Sequence, residues 1–244
     1  MLYPLSEIKD RKGSDTAVFI GASEEINEVT KEQWEHIKQF DTWALNNWHY
    51  HPFVPRFYHL EMKQKRGWDK LWIKRRQQRI YEYKGTTFIV PDKKQYILDA
   101  IGKHKWVYWY KVKNVDPDRK IYTDPRYEFN PSMDIIHKLG MASVTSVFEI
   151  LCRLGYKRIF LLGFDFSSAR YFWTDRPEYG EVHCHHNKDF EGRKETDPPA
   201  TEHMIPFIIG FNKNYLQPKG IELKVARKGS KLYPHIGYLP IEDW

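Results

Sequence analysis

Short apolar blocks alternate along the chain with segments of helical period. The block DTAVFIGAS (15–23) reads as a strand running into a turn of small residues. SEEINEVTKEQWEHIKQF (23–40) follows with helical spacing, and Ser23 is placed to cap it ahead of the acidic Glu24 and Glu25. DTWALNNW (41–48) and RFYHLEM (56–62) read as the next strands. KQKRGWDKLWIKRRQQR (63–79) is a basic helix pattern with Trp68, Leu71 and Trp72 on one face. TTFIVP (86–91) is a strand, DKKQYILDAIGK (92–103) a short helix and KWVYWYKV (105–112) a strand. Pro and Asp make 114–132 a loop. ASVTSVFEILCRLG (142–155) is a helix closed by Gly155, followed by the strand KRIFLLGF. A helix is expected through 202–217 despite Pro206 and Gly210, and IELKVAR (221–227) is the last strand. Strands alternating with helices predict an α/β fold on a mainly parallel sheet, with helices on both faces. No repeat or low-complexity linker divides the chain, so 1–244 is expected to be a single domain.

Composition narrows this picture little. The chain has 244 residues, and no apolar run reaches the roughly 18 of a membrane span, so no transmembrane segment is expected. The first residues, MLYPLSEIKDRKG, lack a signal-peptide core. Cys152 and Cys184 form no disulfide framework, which makes the cytoplasm the expected location, a host's cytoplasm if the chain is phage-encoded. A net charge of +7 with 16% aromatic residues suits a protein that handles anions, although many proteins are basic without doing so.

Candidate chemistry gathers at strand ends. The turn at Gly21, Ala22 and Ser23 offers backbone amides to a phosphate, although a plain tight turn explains it equally well. Asn46 and Asn47 end the second strand, where short amides can read a base or ribose or merely cap a turn. DPD (116–118) reads as a turn rather than a metal site. HCHH (183–186) lacks a partner pair at zinc spacing, so no metal is expected. His203 stands alone before an apolar helix. Arg75 and Arg76, with Trp72, would suit phosphates and bases, but an amphipathic helix with its Trp face buried accounts for them more simply. The strand KRIFLLGF (157–164) has an unusual sequel: it ends in Gly163-Phe164-Asp165-Phe166, and then a polar, aromatic stretch continues to His203.

Several of these segments together resemble the bacterial lipooligosaccharide sialyltransferases, and a wider set of bacterial and phage proteins that share their pattern. VFIGASEEI is similar to that family's nucleotide loop, FDTWALNNW to its FDxxxxNxF element and FYHLE to its FYN element. ASVTSVFEILCRLGYKRIFLLGFDF is similar to its Ser-containing helix and following strand, the most specific match, whereas 63–130 does not match. The resemblance implies a Rossmann-like, variant GT-A fold with a mobile lid over 166–203. It implies a donor site of Gly21, Ala22, Ser23, Asn46, His59, Ser143, Gly163, Asp165 and Tyr171, and His203 as general base. It also implies metal-independent transfer of a sugar from a nucleotide-sugar to a hydroxyl, with no cofactor. Departures fall on donor contacts: Ala22-Ser23 replaces Asn-Gly, His59 replaces an amide, and Ser167 stands in place of a phosphate-binding tyrosine. The acceptor is a glycan or, in an alternative that uses Trp72, Arg75 and Arg76, DNA carrying a hydroxymethylated base. A pyrophosphate-transferring enzyme on the same scaffold is a second alternative.

Overall fold

The computed structural model describes residues 2–61, 78–92, 101–102, 104–115, 128–139, 143–167, 170–179 and 199–244, with backbone alone at 115, 139 and 199–203. The basic helix pattern at 63–79 and the short helix at 92–103 fall almost wholly outside these residues, as does DPD (116–118).

Nine strands are seen among the described residues. In chain order they are β1 (Leu2–Pro4), β2 (Thr16–Ile20), β3 (Asp41–Leu45), β4 (Phe57–His59), β5 (Thr87–Pro91), β6 (Val107–Val115), β7 (Ile135–Leu139), β8 (Arg158–Leu162) and β9 (Glu222–Val225). They form one sheet in the order β1-β6-β5-β4-β3-β2-β8-β9, and every pairing is parallel. Two strands share the outer edge of β6. β1 pairs with its first half, Leu2 opposite Val107, and β7 with its second, Lys111 opposite Ile135. The described helices are α1 (Lys31–Ile37), α2 (Ser143–Arg153), α3 (Pro199–Phe211) and α4 (Tyr233–Ile236).

A parallel sheet is covered on both faces, so its strands are apolar throughout. β2 and β5 are buried at every position. Alternation along β2 divides the core. Ala17 and Phe19 face α2 and α3, where Phe148 meets Phe19 edge-on at 5.5 Å and Phe207 at 5.9 Å. Val18 and Ile20 face the other core, with Ile37 of α1, Trp48, Tyr58, Phe88 and Phe172.

Several expectations need correction. The helix expected over 23–40 is split into a 3-10 turn at Glu24–Glu28 and α1. Ser23 makes no side-chain cap; Thr30 does, in a reciprocal capping box with Gln33. The helix expected over 202–217 starts earlier, at Pro199, and gives way to a π turn at Asn212–Leu216. The strands β1 and β7 were not expected at all. In β7 the buried polar pair His137 and Lys138 breaks the apolar run.

Among the described residues, the edge of β7 away from β6 is met by a polar stripe on α2. Glu149 Oε2 accepts the His137 amide at 2.9 Å, and Arg153 Nη1 donates to the Ile135 carbonyl at 3.0 Å. Ser146 Oγ lies 3.5 Å from the His137 carbonyl. Ser143, Ser146, Glu149 and Arg153 recur at helical spacing, so one face of α2 is written in polar residues while the others carry Val147, Phe148 and Leu151 into the core.

Candidate functional site

Because every strand is parallel, the ends of β2, β3, β4 and β8 lie on one edge of the sheet. The chain adds β3 to β6 on one side of β2, then returns to add β8 and β9 on the other. The strand order therefore reverses between β2 and β8, and α/β sheets bind ligands at such a crevice. Gly21 and Gly163 end these two strands, and Asn46 ends β3 next door.

The crevice is tight. A Cβ on Gly21 would stand 2.1 Å from the Gly163 carbonyl oxygen, and Gly163 holds φ +76°. The Gly21 amide donates to Leu162 O at 2.7 Å and the Ser23 amide to Gly163 O at 3.2 Å. Sequence reading leaves the Gly21–Ser23 turn open between a phosphate cradle and a plain tight turn, and the resemblance counts Gly163 in the donor site. Within the described residues the two glycines instead make room for each other, and both amides are bound to the chain at the end of β8.

A carboxylate sits where the amides after β8 point. Glu25 Oε1 accepts from the Gly163 amide and, at 3.2 Å, from the Phe164 amide. Glu25 is buried, and its carboxyl is pushed up to about 7 by burial and by Asp165, against the pull of the Gly163 amide. Asp165 is also buried and pushed up, first by burial. The Ser23 hydroxyl beside them is buried without a hydrogen-bond partner among the described residues. Glu25 was not among the residues expected here.

At the end of β3 a second group assembles. Asn46 takes a left-handed backbone, φ +47°, which asparagine tolerates better than most residues. Its carbonyl accepts the Tyr58 hydroxyl at 2.6 Å. Its Nδ2 donates to Ser143 Oγ at 3.1 Å, and its Oδ1 accepts the Glu61 amide at 3.0 Å. Ser143 Oγ donates to Glu61 Oε2 at 2.5 Å, and Lys138 Nζ pairs with Glu61 Oε1. Lys138 is buried, which pushes its ammonium below the usual lysine range. Asn46 and Ser143 were expected together, and they meet; Glu61 and Lys138 were not foreseen.

Other expected members are placed differently. His59 is fully buried in the core, its Nε2 lies 2.7 Å from the Tyr110 hydroxyl, and burial pushes it down to about 3. It is a neutral core histidine and does not open onto the strand ends. Tyr171 stacks on Trp173 at 4.6 Å and pairs as an isolated bridge with Ser23, while the Phe172 amide donates to Ala22 O at 3.0 Å. The resemblance implies a mobile lid that begins at 166. Phe172 and Trp173 are buried, Phe172 against Trp48 at 5.3 Å, and Asn27 Nδ2 donates to Phe172 O at 2.8 Å. Residues 170–179 are thus anchored in the second core, and 180–198 with His183, Cys184, His185 and His186 lie outside the described residues. His203 falls within α3, with its side chain outside the described residues, and Trp72, Arg75 and Arg76 lie outside them altogether.

The opposite edge of the sheet has its own buried charge. Asp41 Oδ2 accepts the Gly13 amide at 2.9 Å and the Tyr156 hydroxyl at 2.9 Å, while Arg56 Nε lies 3.1 Å from Oδ1. This cluster locks the start of β3, so the two ends of DTWALN serve different tasks. No described helix is long and apolar enough to cross a membrane. No protein-family model matches the chain, and no curated protein sequence matches it significantly.

Proposed function

We propose that the chain is a glycosyltransferase that moves a sugar from a nucleotide-sugar donor to a hydroxyl acceptor. The observation that carries this reading is the meeting of Asn46 with Ser143 at the carboxyl edge, one strand away from the Gly21–Gly163 reversal. An amide and a hydroxyl from segments 97 residues apart, held at a topological switch point, suit the base or ribose of a nucleotide. The resemblance of the sequence to the sialyltransferase family supports the same assignment. The internal pairing of the Gly21 and Ser23 amides argues that the donor is gripped chiefly from the Asn46 side.

In the reaction so proposed, the acceptor oxygen attacks the anomeric carbon as the bond to the nucleotide phosphate breaks. His203 takes the acceptor proton, a role suited to histidine near neutral pH. Tyr171 and nearby basic side chains offset the charge that develops on the leaving phosphate, without a metal. The test is a thermal-shift screen against CMP, UDP, GDP and their sugar conjugates, followed by turnover with the best donor. A ligand at about 100 times its Kd raises stability by about 2.7 kcal/mol. A flat screen across all of them would end this reading.

A further inference from the structure

We infer that Glu61 and Lys138 are positioning residues of the donor site, fixing which way Asn46 and Ser143 present their hydrogen-bonding atoms. The inference rests on the reading of this edge as a nucleotide-donor site, and it adds two residues that reading did not contain.

The polarities follow from the protons. The Glu61 amide can only donate, so the Asn46 atom that meets it at 3.0 Å is the oxygen. Nδ2 of Asn46 therefore faces Ser143, whose Oγ accepts at 3.1 Å. The Ser143 proton must then leave in another direction, and Glu61 Oε2 takes it at 2.5 Å. The second Glu61 oxygen is held by Lys138. Each polarity in this ring follows from the one before, and the sequence holds only while Glu61 accepts on both oxygens. That condition is ionisation, and the Lys138 charge secures it. A protonated Glu61 would turn one oxygen into a donor, against Ser143 or against Lys138.

Among the described residues, the surroundings leave this task to Lys138. His59 is held neutral by burial, and burial also pushes the Tyr110 hydroxyl up. Tyr58 donates its proton to the Asn46 carbonyl. The neighbouring β7 residue His137 pairs with Glu149, which Arg153 also engages. Glu61 and Lys138 come from segments 77 residues apart, with side chains 13% and 8% exposed. A surface pair chosen for solubility would not be placed so deep.

The test measures affinity against pH for the nucleotide among CMP, UDP and GDP that binds the wild type most tightly. Glu61→Gln should weaken it by about tenfold or more at every pH, because an amide cannot accept on both sides. Lys138→Met should weaken it most at mildly acidic pH and recover toward alkaline pH, as the unpaired Glu61 ionises. Lys138→Arg should restore a wild-type pH profile. Wild-type affinity in both Glu61→Gln and Lys138→Met would overturn the inference while leaving the donor-site reading intact. So would a pH-independent loss shared by all three variants and matched by lowered melting temperatures. A wild type that binds none of the three nucleotides would overturn both.

Discussion

Gly21 and Gly163 meet across the reversal of strand order with no room for a side chain between them, since a Cβ on Gly21 would lie 2.1 Å from the Gly163 carbonyl oxygen. That oxygen is backbone and cannot swing aside. Gly21→Ala should therefore destabilise the fold by at least about 1–3 kcal/mol through forced backbone shifts. Gly85→Ala, at a position with open space and no positive φ, should stay within about 0.5 kcal/mol of the wild type. Urea unfolding of the two variants checks this.

Glu25 makes stability depend on pH in a stated sense. Its folded carboxyl is raised from 4.5 to about 7, so its contribution is fully present below the unfolded value and is lost as pH climbs through 7. Asp165, raised as well, adds the same sign. Buried neutral His51 and His59, both lowered to about 3, act in reverse and cost stability as pH falls below 6.5. Comparing wild type with Glu25→Gln cancels the histidines. The side-chain oxygen of that variant can still accept both amides, so it should gain on the wild type between about pH 5 and 8, by roughly 3 kcal/mol. A difference that does not change with pH would contradict this.

Glu149→Leu should separate architecture from site. It strips the His137 amide and Arg153 of their shared partner. Breaking a buried pair of this kind costs about 3–5 kcal/mol. Below its melting temperature the variant should bind nucleotide as the wild type does, because Glu149 seals the β7 edge and is bonded to His137 and Arg153 rather than to Asn46, Ser143 or Glu61.

His203→Ala should lower transfer by about 10²–10⁴ while leaving nucleotide affinity nearly unchanged. Asn46→Ala should do the opposite, raising KM for the donor first. Variants of His183, His185 and His186 serve as internal controls, expected to keep turnover. A dead variant in that cluster beside an active His203→Ala would move the base into 183–186.

Much of the scaffold can be read from residue patterns. The apolar blocks locate β2, β3, β5 and β8, because strands covered on both faces leave an unbroken signal. Asn46 is legible as a short amide at a strand end, whereas Ser143 stands out only through the resemblance of its helix to the sialyltransferase family. Glu61 and Lys138 are not. Each sits within a stretch, FYHLE or IIHKLG, in which a charge looks like a solvent-facing position, and only the fold brings them together. His59 misleads for the related reason that a buried histidine and a ligand-facing one look alike in sequence. The Thr30–Gln33 capping box is present in the sequence, but the acidic run after Ser23 outweighs it as a helix start. Glu25 belongs to that run, yet its carboxylate turns inward to the amides after β8.

The proposed donor site lies at the carboxyl edge of the sheet, and mapping nucleotide-induced amide shifts by NMR tests that most directly. Titrating the best-binding nucleotide should move the amides of Asn46, Glu61, Ser143 and Gly163 together. The Gly13 and Ser14 amides, which donate to Asp41 at the opposite edge, should stay where they are. Shifts centred on Gly13 and Ser14, with Asn46 and Ser143 unmoved, would contradict it.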